Sequence, residues 1–343
     1  MTKTLEDIAR AMVAPGKGIL AADESSGTIQ KRFDAIGVTN TEDNRRDYRE
    51  LLFRSTDAMK NHISGVILFD ETIKQKAKDG TPLVDIIKAA GAVPGIKVDE
   101  GAKDLSGFAG EKVTEGLDKL RERLKAYHTL GARFAKWRAV IDIGRAGNVT
   151  VPSMYCIKAN THALARYAAL CQETGIVPIV EPEVLMDGDH GIDRCASVTE
   201  ITLAQLYHDL AEASVKLEGT VLKPNMIIAG KLCKTQAGVQ EVAEKTVRVL
   251  RRTVPPAVPG IAFLSGGQSD EDATAHLSAM NAIGGLPWAL TFSYGRALQA
   301  APQKAWSGKA ENTAAAQRAF SHRAKMNALA AVGKWEKALE KAA

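Results

Sequence analysis

The chain predicts an α/β fold: one domain, a (β/α)8 TIM barrel with extra N- and C-terminal helices. Three observations carry that expectation. Eight short apolar runs bounded by turn formers recur along the 343 residues, with helix-length amphipathic stretches between them. No glycine- or serine-rich linker divides the chain. The residues of unusual chemistry gather at the C-terminal ends of the apolar runs, the face where a barrel builds its site.

The runs, in order, are "GILAAD" ending at Asp23, "SGVILFD" ending at Asp70, "VPGIKVD" around Lys97 and "ARFAKWRAV" around Lys136. They continue with "IVPIVEPEV" around Glu181, "TVLKPNM" around Lys223, "GIAFLSGG" ending near Ser265 and "WALTFSYG" ending near Ser293. Strand followed by helix predicts a parallel sheet, and eight such units predict closure; an open doubly wound sheet is the rival. The clearest helices are 241–253 and 269–283, the second with Ser269 as N-cap and acids in its first turn. The barrel core spans about 17–300 of the single domain 1–343. The first 16 residues and the extension 301–343 predict helices packed on the outside, with "KWEKALEKAA" a plain helix former.

Composition narrows the function classes. With 45% hydrophobic and 25% charged residues, the balance is globular and excludes a disordered chain. A net charge of +5 without a dense Lys/Arg block favours anionic small molecules and argues against nucleic acid. Cys156, Cys171, Cys195 and Cys233 form no C-x-x-C pair and predict free thiols in a reducing compartment. No run approaches the ~20 apolar residues of a membrane span. The start "MTKTLEDIARAM" fits neither a signal nor a transit peptide, so the expectation is cytoplasmic, with no membrane partner.

Lys223 stands inside an apolar strand, where a bare ammonium is costly. Burial and a neighbouring cation such as Lys136 both favour the neutral amine, which is nucleophilic and adds to ketones. The plainer alternative is a lysine snorkelling to water or paired with a carboxylate. Glu181 and Glu183 share one strand face, as do Lys136 and Arg138. Facing inward, they converge at the barrel mouth. Schiff-base chemistry needs repeated proton transfers, which a glutamate with a tuned pKa performs. Asp23, Lys136 and Glu183 are open to a catalytic or a purely ion-pairing role.

Two stretches suit phosphate. "SGGQ" after strand seven places Ser265, Gly266 and Gly267 before a helix, where exposed N–H groups attract anions. "SYGRA" after strand eight adds Ser293, Gly295 and Arg296. Loops after strands seven and eight are the recurrent phosphate site of such barrels. "DESSGTIQKR" offers Ser25, Thr28, Lys31 and Arg32, and Lys97 closes strand three, making a second anion site; "ESSGT" reads equally as a helix cap. The seven histidines lie away from predicted strand ends, and "DGDHGID" at 187–193 matches no calcium or zinc spacing, so no metal is expected.

Together, "GILAADESSGTIQKRF", "VPGIKVD", "FAKWR", "IVPIVEPEV", "LEGTVLKPNM", "RRTVPPAVPG", "FLSGGQS" and "PWALTFSYGRALQ" resemble class I fructose-bisphosphate aldolase, from about residue 17 to 306. The resemblance implies that Lys223 forms the Schiff base and Glu181 is the main general acid and base, assisted by Asp23, Lys136 and Glu183. It places Ser265, Gly266, Ser293, Gly295 and Arg296 on the phosphate nearest the ketone. Ser25, Thr28, Arg32, Lys97 and Arg138 serve the remote end. It also implies a metal-free, glycolytic homotetramer without cofactor, acting on phosphorylated sugars. Two departures stand out. Val221 and Thr28 replace an expected leucine and serine, and the last tyrosine is Tyr294, whereas eukaryotic members end in a tyrosine that assists proton exchange on the enamine. A slower or differently assisted exchange step is the expectation. Another Schiff-base lyase, or a non-catalytic barrel, remains the alternative at this point.

Overall fold

The computed structural model describes residues 3–146 and 149–341. Its centre is a closed ring of eight parallel strands: β1 Gly18–Ala22, β2 Ile63–Leu68, β3 Val93–Lys97, β4 Phe134–Ile141, β5 Val177–Val184, β6 Val221–Leu222, β7 Gly260–Phe263 and β8 Ala289–Tyr294. Each expected run supplies one strand, and β1 closes on β8 through Ile19 opposite Ser293 and Leu20 opposite Tyr294. The open-sheet rival is thereby excluded. Strands of such a ring are covered on both faces, which is why they read as continuous apolar runs rather than alternating ones. Helices form the outer layer, and two small antiparallel hairpins follow β3 and β4.

Strand β6 is the shortest. Its ladder continues for one bond beyond the strand, from Lys223 N to Val180 O at 2.9 Å. Pro224 then has no N–H to donate, and its carbonyl instead accepts from Leu264 N at 3.1 Å. The lysine therefore sits where the regular sheet ends.

Two expectations about the termini are corrected. Helix Leu5–Met12 does not lie on the outside; it plugs the N-terminal mouth of the barrel. Its buried face, Ile8, Ala9 and Met12, packs with Val13 against Ile19, Ile67, Phe134, Val177, Ile179, Val221 and Ala262, which fill the barrel floor. A side chain on Gly260 would start 2.7 Å from Val13 Cγ1, so the floor admits the plug only because that position is bare. The tail is not a regular α-helix either. Helix Thr313–Ala330 stops before Gly333 at φ 67°, and the following chain folds back as a 3-10 turn, Lys337–Lys341. Glu340 fixes it there, accepting from Arg323 Nη1 at 2.5 Å and Trp335 Nε1 at 2.9 Å. Tertiary bonds override the helix propensity of the segment.

Candidate active site

The strand ends bring the charged residues to one place. Lys136 and Arg138 point inward from β4, while Trp137 between them turns outward to pack on Tyr167. Lys136 Nζ lies 2.7 Å from Asp23 Oδ2, at the end of β1, and 3.5 Å from Glu181 Oε2 on β5. Lys223 Nζ lies 3.1 Å from the other oxygen, Glu181 Oε1. One carboxylate thus stands between two lysines that come from different strands. All three are buried. Glu181 Oε2 is shielded from solvent and has no hydrogen-bond partner among the described residues. A carboxylate oxygen so placed is free to exchange a proton with a bound molecule.

The electrostatics explain how the cluster is tolerated. Burial alone raises the Asp23 carboxyl; the charges of Lys136 and then Lys223, with the Lys136 hydrogen bond, overcome it and hold Asp23 down to about 2. Burial alone lowers Lys136; Asp23, Glu181 and Asp99 overcome it, and the ammonium is raised well above its ordinary range. Lys136 is therefore a fixed cation and Asp23 a fixed anion at neutral pH. Glu183 pairs with Arg138 Nε, and the surrounding carboxylates raise that guanidinium against the burial that lowers it. Glu183 therefore forms an ion pair with Arg138 in this structure.

Above this floor opens a cleft of about 710 Å³, lined by Asp23, Ser25, Thr28, Arg32, Lys97, Lys136, Arg138 and Gly295 among others. These are mostly the residues expected at the second anion site, with Gly295 alone from the group after strands seven and eight. Ser25 does occupy the N-cap of helix Ser26–Asp34, but its hydroxyl makes no cap bond and lies 3.2 Å from Thr28 Oγ1. Two hydroxyls and a helix start therefore face the cleft together. At the ends of β7 and β8, Ser265 and Ser293 are buried, and Ser293 Oγ has no partner among the described residues. The turn between them and the next helix needs its glycines. A Cβ on Gly266 would lie 3.1 Å from Glu183 Oε1, and Gly267 has φ 77° and leaves Met186 Cγ only 2.2 Å from where a Cβ of its own would stand.

Of the expected residues, Lys223, Glu181, Glu183, Ser265, Gly266, Gly267, Ser293 and Arg296 are not among those that line this cleft, and Arg296 is turned aside. Its guanidinium rests on Asp270 Oδ1 at 3.0 Å and on the Gln268 carbonyl, beside the cleft rather than in it. Lys31 is not among the residues that line the cleft.

Asp99, Glu24 and Arg49 were missed from sequence. Asp99 Oδ1 binds Lys97 Nζ at 2.6 Å, and Asp99 Oδ2 accepts from Arg138 N at 3.3 Å, so one acid orients two expected ligands. It stands two residues after Lys97, and the same-face spacing was the available signal.

The fold and the site define a class: a barrel enzyme that works with amines and carboxylates on an anionic substrate at the C-terminal mouth. Comparison with known proteins makes this specific. The sequence matches the family described as fructose-bisphosphate aldolase class-I over residues 4–343. It is 60% identical to a probable fructose-bisphosphate aldolase class 1 of Xanthomonas campestris pv. campestris, covering 97% of this chain and 98% of that one. It is 56% identical to fructose-bisphosphate aldolase C of Carassius auratus, covering 97% and 91% of the two chains. The solved Plasmodium falciparum fructose-bisphosphate aldolase, in complex with TRAP and a small-molecule inhibitor, superposes with a TM-score of 0.93 at 50% identity, covering 97% of this chain and 95% of that one. The chain belongs to the class I fructose-bisphosphate aldolase family.

Proposed function

We propose that this protein cleaves fructose 1,6-bisphosphate reversibly to dihydroxyacetone phosphate and glyceraldehyde 3-phosphate, as an aldehyde-lyase of glycolysis and gluconeogenesis. Lys223 Nζ adds to the C2 ketone, and the carbinolamine loses water to give an iminium. Glu181, reaching Lys223 through one oxygen, supplies the proton that leaves with that water. A base then removes the C4 hydroxyl proton and the C3–C4 bond breaks. Its electrons pass to the iminium nitrogen, forming the enamine as glyceraldehyde 3-phosphate departs. Protonation at C3 and hydrolysis release dihydroxyacetone phosphate and restore the amine.

Asp23 and Lys136 assist as a fixed ion pair beside the reacting carbons, and Glu183 holds Arg138. Ser265, Gly266, Gly267, Ser293, Gly295 and Arg296 receive the phosphate nearest the ketone, with Arg296 turning off Asp270 to do so. Ser25, Thr28, Arg32, Lys97 and Arg138 receive the other. No metal or organic cofactor takes part, because the iminium formed on Lys223 is the electron sink. The family supports assembly as a homotetramer, which light scattering of the purified protein checks. The glycolytic family and the free cysteines support a cytoplasmic location.

The observation that carries the reading is the 3.1 Å approach of Lys223 Nζ to a buried glutamate whose second oxygen is unpartnered. Borohydride reduction with dihydroxyacetone phosphate should leave a stable adduct on Lys223, mapped by peptide mass spectrometry. An adduct elsewhere, or turnover abolished by EDTA, would overturn it.

A further inference from the structure

We infer that Arg49 is a positioning residue that receives Glu24 when a phosphate enters the cleft, releasing Arg32 to bind it; this rests on the reading of Arg32 as a ligand of the remote phosphate. Arg49 lies on helix Glu42–Phe53 with its side chain only 2% exposed. A guanidinium has five N–H donors, and buried ones are ordinarily engaged. Here Nη2 donates to the Glu24 carbonyl at 3.3 Å, while Nε and Nη1 are buried and have no partner among the described residues.

Two carboxylates stand just beyond bonding distance. Glu71 Oε1 is 3.9 Å from Arg49 Nη1, but Glu71 is already held by Arg45, whose Nη2 lies 2.7 Å from Oε2. Glu24 is the divided one. Its Oε1 accepts from Arg32 Nη1 and from Gln299 Nε2 at 2.7 Å. Its Oε2 has no hydrogen bond among the described residues and lies 3.8 Å from Arg49 Nη2.

Arg32, on the other side of Glu24, lines the cleft, and a Cβ on Gly295 would lie 3.3 Å from its Nη2. Glu24 therefore neutralises the cation that an incoming phosphate needs. A closing of about 1 Å would seat Glu24 Oε2 on Arg49 Nη2 at an ordinary charge-assisted distance. Glu24 would stay paired and Arg32 would turn to the phosphate. Without Arg49, the same exchange leaves a buried carboxylate with Gln299 as its only partner, which is unfavourable.

The test compares fructose 1,6-bisphosphate with fructose 1-phosphate, which lacks the remote phosphate. Arg49→Met should lower the bisphosphate-to-monophosphate ratio of kcat/KM about tenfold, chiefly through KM for the bisphosphate. Glu24→Gln in that background should restore the ratio, because a neutral amide needs no new cation, and Arg49→Lys should restore part of it. A purely structural Arg49 would depress both sugars together and gain nothing from Glu24→Gln, overturning the proposal. Should Arg49→Met fail to fold, Glu24→Gln alone decides: it should raise the ratio, and an unchanged ratio overturns the exchange. Arg32→Met separates this from the site reading. If it lowers the ratio while the Arg49 and Glu24 variants do not, the exchange alone fails; if it leaves the ratio unchanged, both fail.

Discussion

Lys136 shows how one buried charge sets the state of its neighbours. With burial raising Asp23 and lysines lowering it, removing the nearest lysine weakens the lowering. In Lys136→Met, the Asp23 carboxyl should titrate higher than about 2, read by carbon NMR of the labelled aspartate. The sign for stability follows. A folded value below the unfolded one adds stability above pH 3.8, which is lost as pH falls toward about 2. The variant loses part of that contribution, so its acid unfolding should begin at higher pH; an unmoved Asp23 titration would refute the assigned coupling. Lys136 has the opposite sign: its contribution is complete below 10.5 and fades as pH rises through its higher folded value. Neither group then titrates near neutrality, and a limb of the pH–rate profile there belongs elsewhere. Glu181→Gln should lower kcat by about 10² to 10⁴ while leaving KM within a few-fold, as measured by coupled assay. At this scale the sequence was legible where a charge interrupted an apolar strand, as at Lys223, Lys136 and Glu181. Arg49 was not, because an arginine on a polar amphipathic helix reads as solvated. Its burial depends on which helix face turns toward Glu24, just beyond the end of β1.

Among elements, the strands were legible and the terminal helices were misplaced, for a physical reason. A strand covered on both faces announces itself by an unbroken apolar run, whereas an amphipathic helix shows that it has a buried face without naming the surface it covers. Helix Leu5–Met12 carries the stripe Ile8, Ala9 and Met12, compatible with the outer ring or with the barrel floor. The bare position at Gly260 gives the answer in three dimensions only. Gly260→Ala should cost about 1–3 kcal/mol, because its methyl overlaps Val13. Val13→Ala should recover much of that loss in the double variant, although alone it destabilises by leaving a void. Urea unfolding of the four proteins measures the coupling. Additive losses would mean that the plug does not press on β7. The turn after β7 makes the complementary point. "SGGQ" stood out as small residues running into a helix, and the structure adds that Gly267 takes φ 77°, which favours glycine there.

At the level of the molecule, a closed ring still has a seam, where the first and last strands meet, and the extension after β8 lies across it. Helix Thr313–Ala330 packs on helices Glu42–Phe53 and Thr56–Asn61 from the early units and on Asp270–Ile283 and Arg296–Trp306 from the late ones. Its Arg323 is buried. Nη2 donates to Thr274 Oγ1 at 2.7 Å and to the Asp270 carbonyl at 3.3 Å, while Nη1 binds Glu340 of the folded-back tail at 2.5 Å. Asp270 is also the residue on which Arg296 rests, so the clip reaches the first turn of the helix that follows the "SGGQ" turn. Arg323→Met keeps the apolar stem but leaves Glu340, Thr274 and the Asp270 carbonyl each short of a partner. The expected loss is about 3 kcal/mol. If the seam opens only together with the whole barrel, the urea midpoint should fall while the slope of the transition stays constant. A reduced slope or a second transition would show instead that the extension detaches first, and that the ring holds closed without it.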